Sequence, residues 1–290
     1  MHGLNYSTTS ELHEVLEELY RKYNCFERIK PDPLQFVYRY TEPRDMEVAG
    51  FLAAALAYGR VRQIEQSVEN LLKRMGRSPF EFVVNFTDSA GKKLTGFRHR
   101  FNTAGDICEL LGILHGVLQQ YGSIEAYFAQ GLEPDHTNVI GALSRFTGGL
   151  LQRYQRDAGT VASKALRFLL TDPANGSPCK RLNLFLRWMV RHDDVDAGIW
   201  KSVDKAKLIV PLDTHMARLC KILGFYDRNT VSLATALEIT QGFARLEPDD
   251  PVKYDFALSR IGIVEDCNGR YRPQCEDCEL LEFCKRRDSF

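Results

Sequence analysis

Residues 171–191 read TDPANGSPCKRLNLFLRWMVR, and this stretch decides the fold that the sequence predicts. A turn rich in proline, asparagine and glycine fills its first half. An apolar run of helical period follows, starting near Cys179 or Lys180, and residues 161–170 before the turn have the same period. We therefore predict two helices joined by a compact turn, a helical hairpin.

The turn of this hairpin has two possible roles. The start of a helix has positive potential and leaves backbone N–H groups without partners, so such a turn can bind a phosphate. A helical hairpin of the same composition can equally be plain scaffold. The sequence alone leaves both roles open.

Helical period also marks most of the remaining chain. Leu12, Leu16 and Leu19 repeat at helical spacing after a suitable N-cap, Ser10. Further helices are predicted over residues 45–58, 63–75, 107–120, 124–130, 139–154, 214–223 and 232–243. No run alternates as a strand would, so we predict an all-α fold. The breaks are too short for flexible linkers, which predicts two packed helical domains, residues 1–46 plus 192–290 and residues 47–191.

Composition and charge exclude some classes of protein. The chain of 290 residues is 44% hydrophobic and 26% charged, which is typical of a globular protein. Its longest apolar run, residues 48–58, is too short to span a bilayer, and its first residues lack the pattern of a signal peptide. We therefore expect a cytoplasmic monomer with no membrane partner.

The charges balance, because 38 basic residues face 38 acidic ones. Any site for a polyanion must therefore be a local basic patch. One candidate patch lies on the hairpin and consists of Lys180, Arg181, Arg187 and Arg191. The alternative for this patch is an ordinary solvated helix face.

A second informative segment is IVPLDTHMARLCKILGF, residues 209–225. Asp213 occupies an N-cap position, a helix is predicted from Thr214, and Gly224 marks its end. An aspartate in this position caps its helix whether or not it has another role. His215 is interpreted as a surface or core histidine.

Four of the eight cysteines crowd into 18 residues, with the spacing C-x7-C-x2-C-x5-C. They are Cys267, Cys275, Cys278 and Cys284. The other four are isolated and are interpreted as buried small residues. Close cysteines in a chain without a secretion signal indicate metal thiolates rather than disulfides. An iron–sulfur cluster is favoured over zinc, because only one C-x2-C pair is present and no histidine lies nearby.

Three motifs follow one another along the chain: the hairpin with its lysine, the segment LDTH at residues 212–215, and the four-cysteine loop. Together they resemble the endonuclease III branch of the helix–hairpin–helix DNA glycosylase superfamily, over residues 172–287. Residues 32–40, 47–60, 179–191 and 211–219 look more like an uncharacterised bacterial family within this superfamily. The pairing of KRLNLFLRWMV with LDTH is also similar to the archaeal 8-oxoguanine DNA glycosylases.

This resemblance implies a DNA N-glycosylase of base excision repair with AP-lyase activity, acting on a damaged base, such as an oxidised purine, extruded from duplex DNA. Lys180 would be the nucleophile and Asp213 the catalytic carboxylate. The four clustered cysteines would hold a 4Fe–4S cluster. Contacts to DNA are expected from Tyr58, Arg60, Asn175, Gly176, Ser177 and Arg181. Phosphate contacts near the cysteine loop are expected from Arg270, Arg272, Lys285, Arg286 and Arg287.

The sequence departs from this family in three places. NGSPC replaces a glycine-rich turn, one extra residue separates Cys267 from Cys275, and no glutamine occupies the intercalating turn at residues 58–60. The altered turn and the zero net charge favour an alternative, a non-catalytic helix–hairpin–helix protein that binds nucleic acid and retains a structural cluster. A redox or zinc-structured scaffold unrelated to nucleic acid is a third reading.

Overall fold

The computed structural model describes residues 6–264, 267 and 270–284. The fold is mostly helical, with 61% helix and 2% strand, which confirms the predicted class in its coarse form. The helices are α1 (Tyr6–Tyr23), α2 (Pro43–Ala55), α3 (Val61–Met75), α4 (Pro79–Val84), α5 (Asp88–Lys92), α6 (Ala104–Tyr121), α7 (Ile124–Ala129), α8 (Ile140–Ala158), α9 (Lys164–Leu169), α10 (Lys180–Val190), α11 (Thr214–Ile222), α12 (Leu233–Ala244) and α13 (Asp255–Val264).

Several short elements complete the described chain. Strands β1 (Arg98–His99) and β2 (Asn102–Thr103) form an antiparallel hairpin, so the expectation that the chain has no sheet is wrong for this short pair. Short 3-10 helices occupy Phe26–Arg28, Pro33–Arg39, Pro173–Asn175, Lys205–Lys207, Pro273–Cys275 and Leu281–Phe283. No helix of the described chain combines the length and the apolar character needed to cross a bilayer.

Helix α2 lies at the centre of the core, because every residue from Glu47 to Ala55 is buried. Its small residues allow α10 to approach closely. A Cβ atom at Gly50 would lie 3.0 Å from Cε of Met189 and 3.2 Å from Cγ2 of Val37, so a larger residue would push these elements apart. This packing places the start of α10 beside the end of α2.

A buried carboxylate ties the start of α2 to two distant segments. Glu47 accepts hydrogen bonds from the backbone N–H groups of Ile124 and Glu125 at 2.9 and 2.8 Å, and from Nε1 of Trp200 at 2.8 Å. Burial raises the pKa of this carboxyl, and its three donors oppose that rise. Buried side chains from Leu12 to Leu280 form one continuous core. The division into residues 1–46 plus 192–290 and residues 47–191 stays a prediction.

Candidate active site

A cleft of about 460 Å³ opens between α10, the start of α11, α13 and the turn after α2. Lys180 and Asp213 lie together in its lining, where Nζ of the lysine is 3.9 Å from Oδ2 of the aspartate. Their side chains are 30% and 37% exposed, so both can be reached from solvent. The structure thus brings together two residues that are 33 positions apart in sequence.

Lys180 is positioned by an abrupt start to α10. Cys179, the residue before it, has a φ of 45°, in the left-handed region, and the helix begins directly afterwards. Nζ of Lys180 also lies 3.5 Å from the carbonyl oxygen of Ala57, to which it donates. The amine is therefore held between the end of α2 and the N-cap of α11.

Cys179 does not compete with Lys180 as a nucleophile. Its Sγ donates to the carbonyl oxygen of Thr171 at 3.3 Å, and its side chain is buried. Burial raises the pKa of this thiol to about 11, which keeps the reactive thiolate scarce at neutral pH.

Asp213 caps α11, as the sequence predicts, and still presents one oxygen to the cleft. Oδ1 accepts from the backbone N–H groups of His215 and Met216, both at 2.9 Å. Oδ2 is the oxygen that faces Lys180. The two backbone donors fix the orientation of the carboxylate, so capping and a role in the cleft are compatible.

One face of α10 lines the cleft from its mouth inward. Lys180, Leu184 and Arg187 all contribute, at positions i, i+4 and i+7. With a rise of 1.5 Å per residue, Arg187 lies about 10 Å further along the helix axis than Lys180. The charged inner end formed by Arg187, Asp255 and Arg260 is called the cleft floor below.

The cleft floor belongs to a buried network of ion pairs. Nε of Arg187 lies 3.2 Å from Oδ1 of Asp196, and its Nη1 pairs with Oδ2 of Asp255. Nη2 of Arg260 lies 3.3 Å from Oδ2 of Asp32. Nη2 of Arg187 and Nε of Arg260 are buried and have no hydrogen-bond partner among the described residues. Two donors in the residues of the cleft floor are therefore unsatisfied.

Asp255 differs electrostatically from Asp213. Burial raises the pKa of Asp255 to about 6, although the neighbouring Arg187 opposes this rise. Its Oδ2 accepts from Nη1 of Arg187. The lining thus contains three carboxylates: Asp32 and Asp213, which are partly exposed and cap helices, and Asp255, which is buried.

The interpretation of Arg187 and Arg191 as part of a phosphate-binding patch is wrong. Arg191 pairs with Asp250 at 3.0 Å and also with Asp193 and Asp196. Both arginines are at most 2% exposed. Their partners lie up to 68 residues away in sequence, so helical period could not reveal that this charged face is buried.

Tyr58 and Gly59 line the cleft, whereas Arg60 is exposed just before α3. The hydroxyl of Tyr58 donates to Oδ1 of Asn102 and also lies 3.1 Å from the carbonyl oxygen of His99. Burial raises the pKa of Tyr58 to about 12, so the phenol stays protonated. The tyrosine ring is therefore anchored at the edge of the cleft, and the DNA contact expected of residues 58–60 stays a prediction.

The turn before α10 uses several of its own backbone donors. The N–H groups of Asn175 and Gly176 donate to Asp172 and Pro173 at 3.2 and 2.9 Å. Ser177 accepts from the N–H group of Cys179 at 3.2 Å. These donors are engaged internally, although Asn175 and Gly176 are exposed. Their expected contact with DNA remains a prediction.

Arg181 ties together the ends of two helices. It donates to the carbonyl oxygens of Ala55, at 2.7 Å, and of Phe168, which lie at the ends of α2 and α9. Its guanidinium also lies 4.0 Å from the ring centroid of Phe168. Burial lowers the pKa of Arg181 to about 10. The structure assigns it these contacts, and the expected contact with DNA stays untested.

The four clustered cysteines line one common cavity of about 50 Å³ beside α11 and α13. Its remaining walls are mostly apolar and include Leu219, Ile222, Leu223 and Ile261. Among the described residues, no three of the four sulfurs lie within 4.8 Å of one another. Tetrahedral zinc needs sulfur–sulfur distances of about 3.8 Å, because each Zn–S bond is about 2.3 Å long.

Two hydrogen bonds hold the described part of the cysteine loop in place. Nη1 of Arg218 donates to the carbonyl oxygen of Cys267 at 3.3 Å, and the backbone N–H of Arg272 donates to Sγ of Cys275 at 3.4 Å. Arg270 lines the cavity. Lys285, Arg286 and Arg287, from which phosphate contacts were also expected, lie outside the described residues.

The fold and the cleft define a mostly helical protein with a lysine–aspartate pair beside a deep, charged pocket. The family model described as "Protein of unknown function (DUF2400)" matches residues 32–264, and the chain belongs to this family. The match includes the whole cleft lining except Pro31 and ends before Cys267. No curated protein and no solved structure matches the chain.

Proposed function

We propose that this protein is a DNA N-glycosylase with AP-lyase activity that removes a damaged base flipped out of duplex DNA. The observation that carries the proposal is the 3.9 Å approach of Lys180 and Asp213 in a cleft of about 460 Å³. A pocket of this volume is large enough to enclose a nucleobase. Enzymes that act on a base in duplex DNA extrude it into such a pocket.

The neutral amine of Lys180 attacks C1′ of the deoxyribose. The new N–C1′ bond forms as the N-glycosidic bond breaks, and the departing base leaves with the bonding electrons and takes up a proton. The amine loses a proton and the sugar ring opens, which gives a Schiff base. Loss of a C2′ proton then expels the 3′ phosphate by β-elimination, and water releases the sugar fragment from Lys180.

Asp213 contributes through its fixed negative charge. Positive charge develops on the sugar as the glycosidic bond breaks, and a carboxylate oriented in advance stabilises it. The two backbone donors to Oδ1 hold the group still, so little reorganisation accompanies the reaction.

The cleft floor favours a base with hydrogen-bond acceptors on its far edge. Arg187 and Arg260 line the cleft and give its floor positive charge, and their nitrogens without a partner among the described residues, Nη2 and Nε, are themselves buried. Arginine donates hydrogen bonds to acceptors such as O6 of guanine-type bases. The floor lies about 10 Å along α10 from Lys180, so an oxidised purine is the substrate class that this arrangement supports best.

The remaining parts of the proposal concern α9, α10 and the cysteines. We assign α9, the turn at Pro173–Asn175 and α10 to a helix–hairpin–helix motif that faces duplex DNA.

The cysteine cavity is assigned to a 4Fe–4S cluster, with zinc as the alternative. The four cysteines line one common cavity, which supports this assignment because four thiolates are the ligand set of a 4Fe–4S cluster. When bound, the cluster serves as a structural cross-link.

Metal analysis tests this assignment. Protein purified without oxygen is expected to be brown and to contain about four iron atoms and about four sulfides per chain. Replacing Cys278 with serine is expected to remove the colour, because Cys278 lines the cavity. Cys108→Ser is the matched control, since this cysteine lies outside that cavity. A colourless protein with one zinc ion would contradict the cluster assignment.

A non-catalytic nucleic-acid-binding protein is the second candidate. The internal use of backbone donors by the turn before α10 favours it, since fewer groups remain for phosphate. It predicts binding of nucleic acid without covalent chemistry. A set of duplexes, each with one lesion or an abasic site, separates the candidates when incubated with protein and borohydride. Base release with a trapped complex supports the glycosylase, whereas binding with neither supports the alternative.

Asp213→Asn is expected to slow base release by about 100-fold or more while leaving DNA binding intact. Asparagine is as good an N-cap as aspartate, so α11 is expected to fold normally. Single-turnover release of the base from the best duplex measures the effect. Asp204→Asn is the matched control, because Asp204 also caps a short helical turn but does not line the cleft. Equal rates for both variants would remove Asp213 from the mechanism.

A further inference from the structure

An exposed pair of aromatic rings lies outside the cleft. Phe101, in the two-residue turn between β1 and β2, is 48% exposed, and Phe168, at the end of α9, is 36% exposed. Their ring centroids are 4.9 Å apart at an angle of 72°. We call this surface the Phe101–Phe168 face. Two large rings exposed next to each other are unusual enough on a soluble protein to indicate a binding surface.

This face is continuous with the cleft through Tyr58. The ring of Tyr58 lies 5.5 Å from that of Phe101 and 4.9 Å from that of Phe168. Tyr58 itself also lines the cleft. Because its hydroxyl is held by Asn102 and His99, the tyrosine supports the two phenylalanines from beneath.

Positive charge surrounds the aromatic rings. The guanidinium of Arg100 lies 5.6 Å from the centroid of Tyr58, and that of Arg181 lies 4.0 Å from the centroid of Phe168. Arg98 and Arg100 are exposed, and neither forms a salt bridge within the described chain. The nearby carboxylate of Asp106 is occupied by the backbone N–H of Thr103 at 2.7 Å. A ligand with a flat ring and negative charge matches this surface.

The backbone conformations of Arg100 and Gly59 bring Arg100 into contact with the edge of the cleft. Arg100 has a φ of 53°, in the left-handed region that the tight turn of a hairpin requires. Gly59 has a φ of 100°, and a Cβ atom there would lie 2.8 Å from Cδ of Arg100. The absence of a side chain at Gly59 therefore allows Arg100 to lie against the edge of the cleft.

We propose that the Phe101–Phe168 face stacks an unpaired nucleobase of the DNA whose damaged base enters the cleft. Aromatic rings flanked by arginines are the common platform for unpaired bases, since every base has a π-face and is linked to phosphate. Flipping one nucleotide leaves its partner unpaired, and this orphaned base is the occupant. The inference rests on the proposed function for the identity of the partner as DNA and for the base flipping that leaves one nucleobase unpaired.

The test measures dissociation constants by fluorescence anisotropy for two duplexes. One contains a tetrahydrofuran abasic analogue opposite a cytosine, and the other is fully paired. Phe101→Ala is expected to weaken binding to the first duplex by about 10- to 100-fold and to change binding to the second much less. Phe101→Trp is expected to restore the affinity. Phe26→Ala is the matched control, because Phe26 is 55% exposed but packs on Tyr38 elsewhere.

Three outcomes would overturn the inference. The first is that Phe101→Ala binds the abasic duplex as tightly as the wild type does. The second is that the variant loses the same affinity on both duplexes. The third is that the wild type sediments as a dimer and Phe101→Ala as a monomer. The last result would assign the face to a second copy of the chain. Failure of the proposed function gives a different result. In that case the wild type forms no covalent adduct with DNA, yet Phe101→Ala still loses affinity for the abasic duplex.

Discussion

Replacing Arg187 with alanine is expected to lower the free energy of unfolding by about 3–5 kcal/mol, since it leaves the buried Asp255 without its partner and leaves Asp196 paired with Arg191 alone. Arg187 is only 1% exposed and pairs with Asp196 and Asp255. The Coulombic attraction of these carboxylates, which themselves lie in the interior, raises the pKa of the guanidinium, although burial opposes this. Denaturant unfolding measures the loss.

The loss at Arg187 is expected to depend on pH. In the wild type Arg187 lowers the pKa of Asp255, which is about 6, so removing the guanidinium raises that pKa further. Protonation of Asp255 then relieves the unpaired charge. The difference in stability between the variant and the wild type is therefore expected to be smallest at about pH 5, to widen as pH rises from about 6 to the raised pKa, and to stay constant above it.

Two controls separate charge from packing at this position. Arg187→Met keeps much of the side-chain volume and is expected to show a similar pH dependence, because it also leaves Asp255 unpaired. Arg228→Ala breaks an exposed pair with Glu238 and is expected to cost about 1 kcal/mol or less. A loss at Arg187 no larger than at Arg228, or one that does not vary with pH, would show that the buried network contributes little.

Lys180→Ala is expected to abolish the covalent complex that borohydride traps on abasic DNA, with a fall of about 10³-fold or more. Reduction of a Schiff base requires the amine that formed it, and the proposal places that amine at Lys180 Nζ, 3.9 Å from Asp213. Strand cleavage by β-elimination is expected to disappear with it. Trapped complex is measured on denaturing gels at protein concentrations that saturate the DNA.

Lys164→Ala is the matched control for this variant. Lys164 is exposed and is the first residue of α9, just as Lys180 is the first residue of α10, but it does not line the cleft. It is expected to trap normally. If Lys180→Ala trapped as well as Lys164→Ala and bound DNA more weakly, a different amine would form the Schiff base and Lys180 would be a phosphate contact.

The local features of the site follow from short patterns in the sequence. The bounds of α10 and the N-cap at Asp213 were predictable because capping and helical period act within a few residues. The predicted helix over 45–58 ends at Ala55 instead. As a result Tyr58 lies in a turn, where it meets both the cleft and the hairpin.

The charged and aromatic parts of the site depend on distant contacts. Asp255 lies 68 residues from its partner Arg187, and no helix was predicted over Asp255–Val264. The hairpin that presents Phe101 has strands of two residues each, which is too short for alternation to be recognised. Sequence therefore predicts the chemistry at the cleft mouth, while the cleft floor and the Phe101–Phe168 face emerge only from tertiary packing.

The most direct test of the central claim is to locate the covalent adduct in the wild-type protein. The protein is incubated with an abasic duplex and borohydride, the complex is digested with nuclease and protease, and the modified peptide is identified by mass spectrometry. The account predicts a reduced sugar fragment on Lys180. An adduct on a different lysine or on the N-terminal amine, or no adduct with DNA that the protein binds, would contradict it.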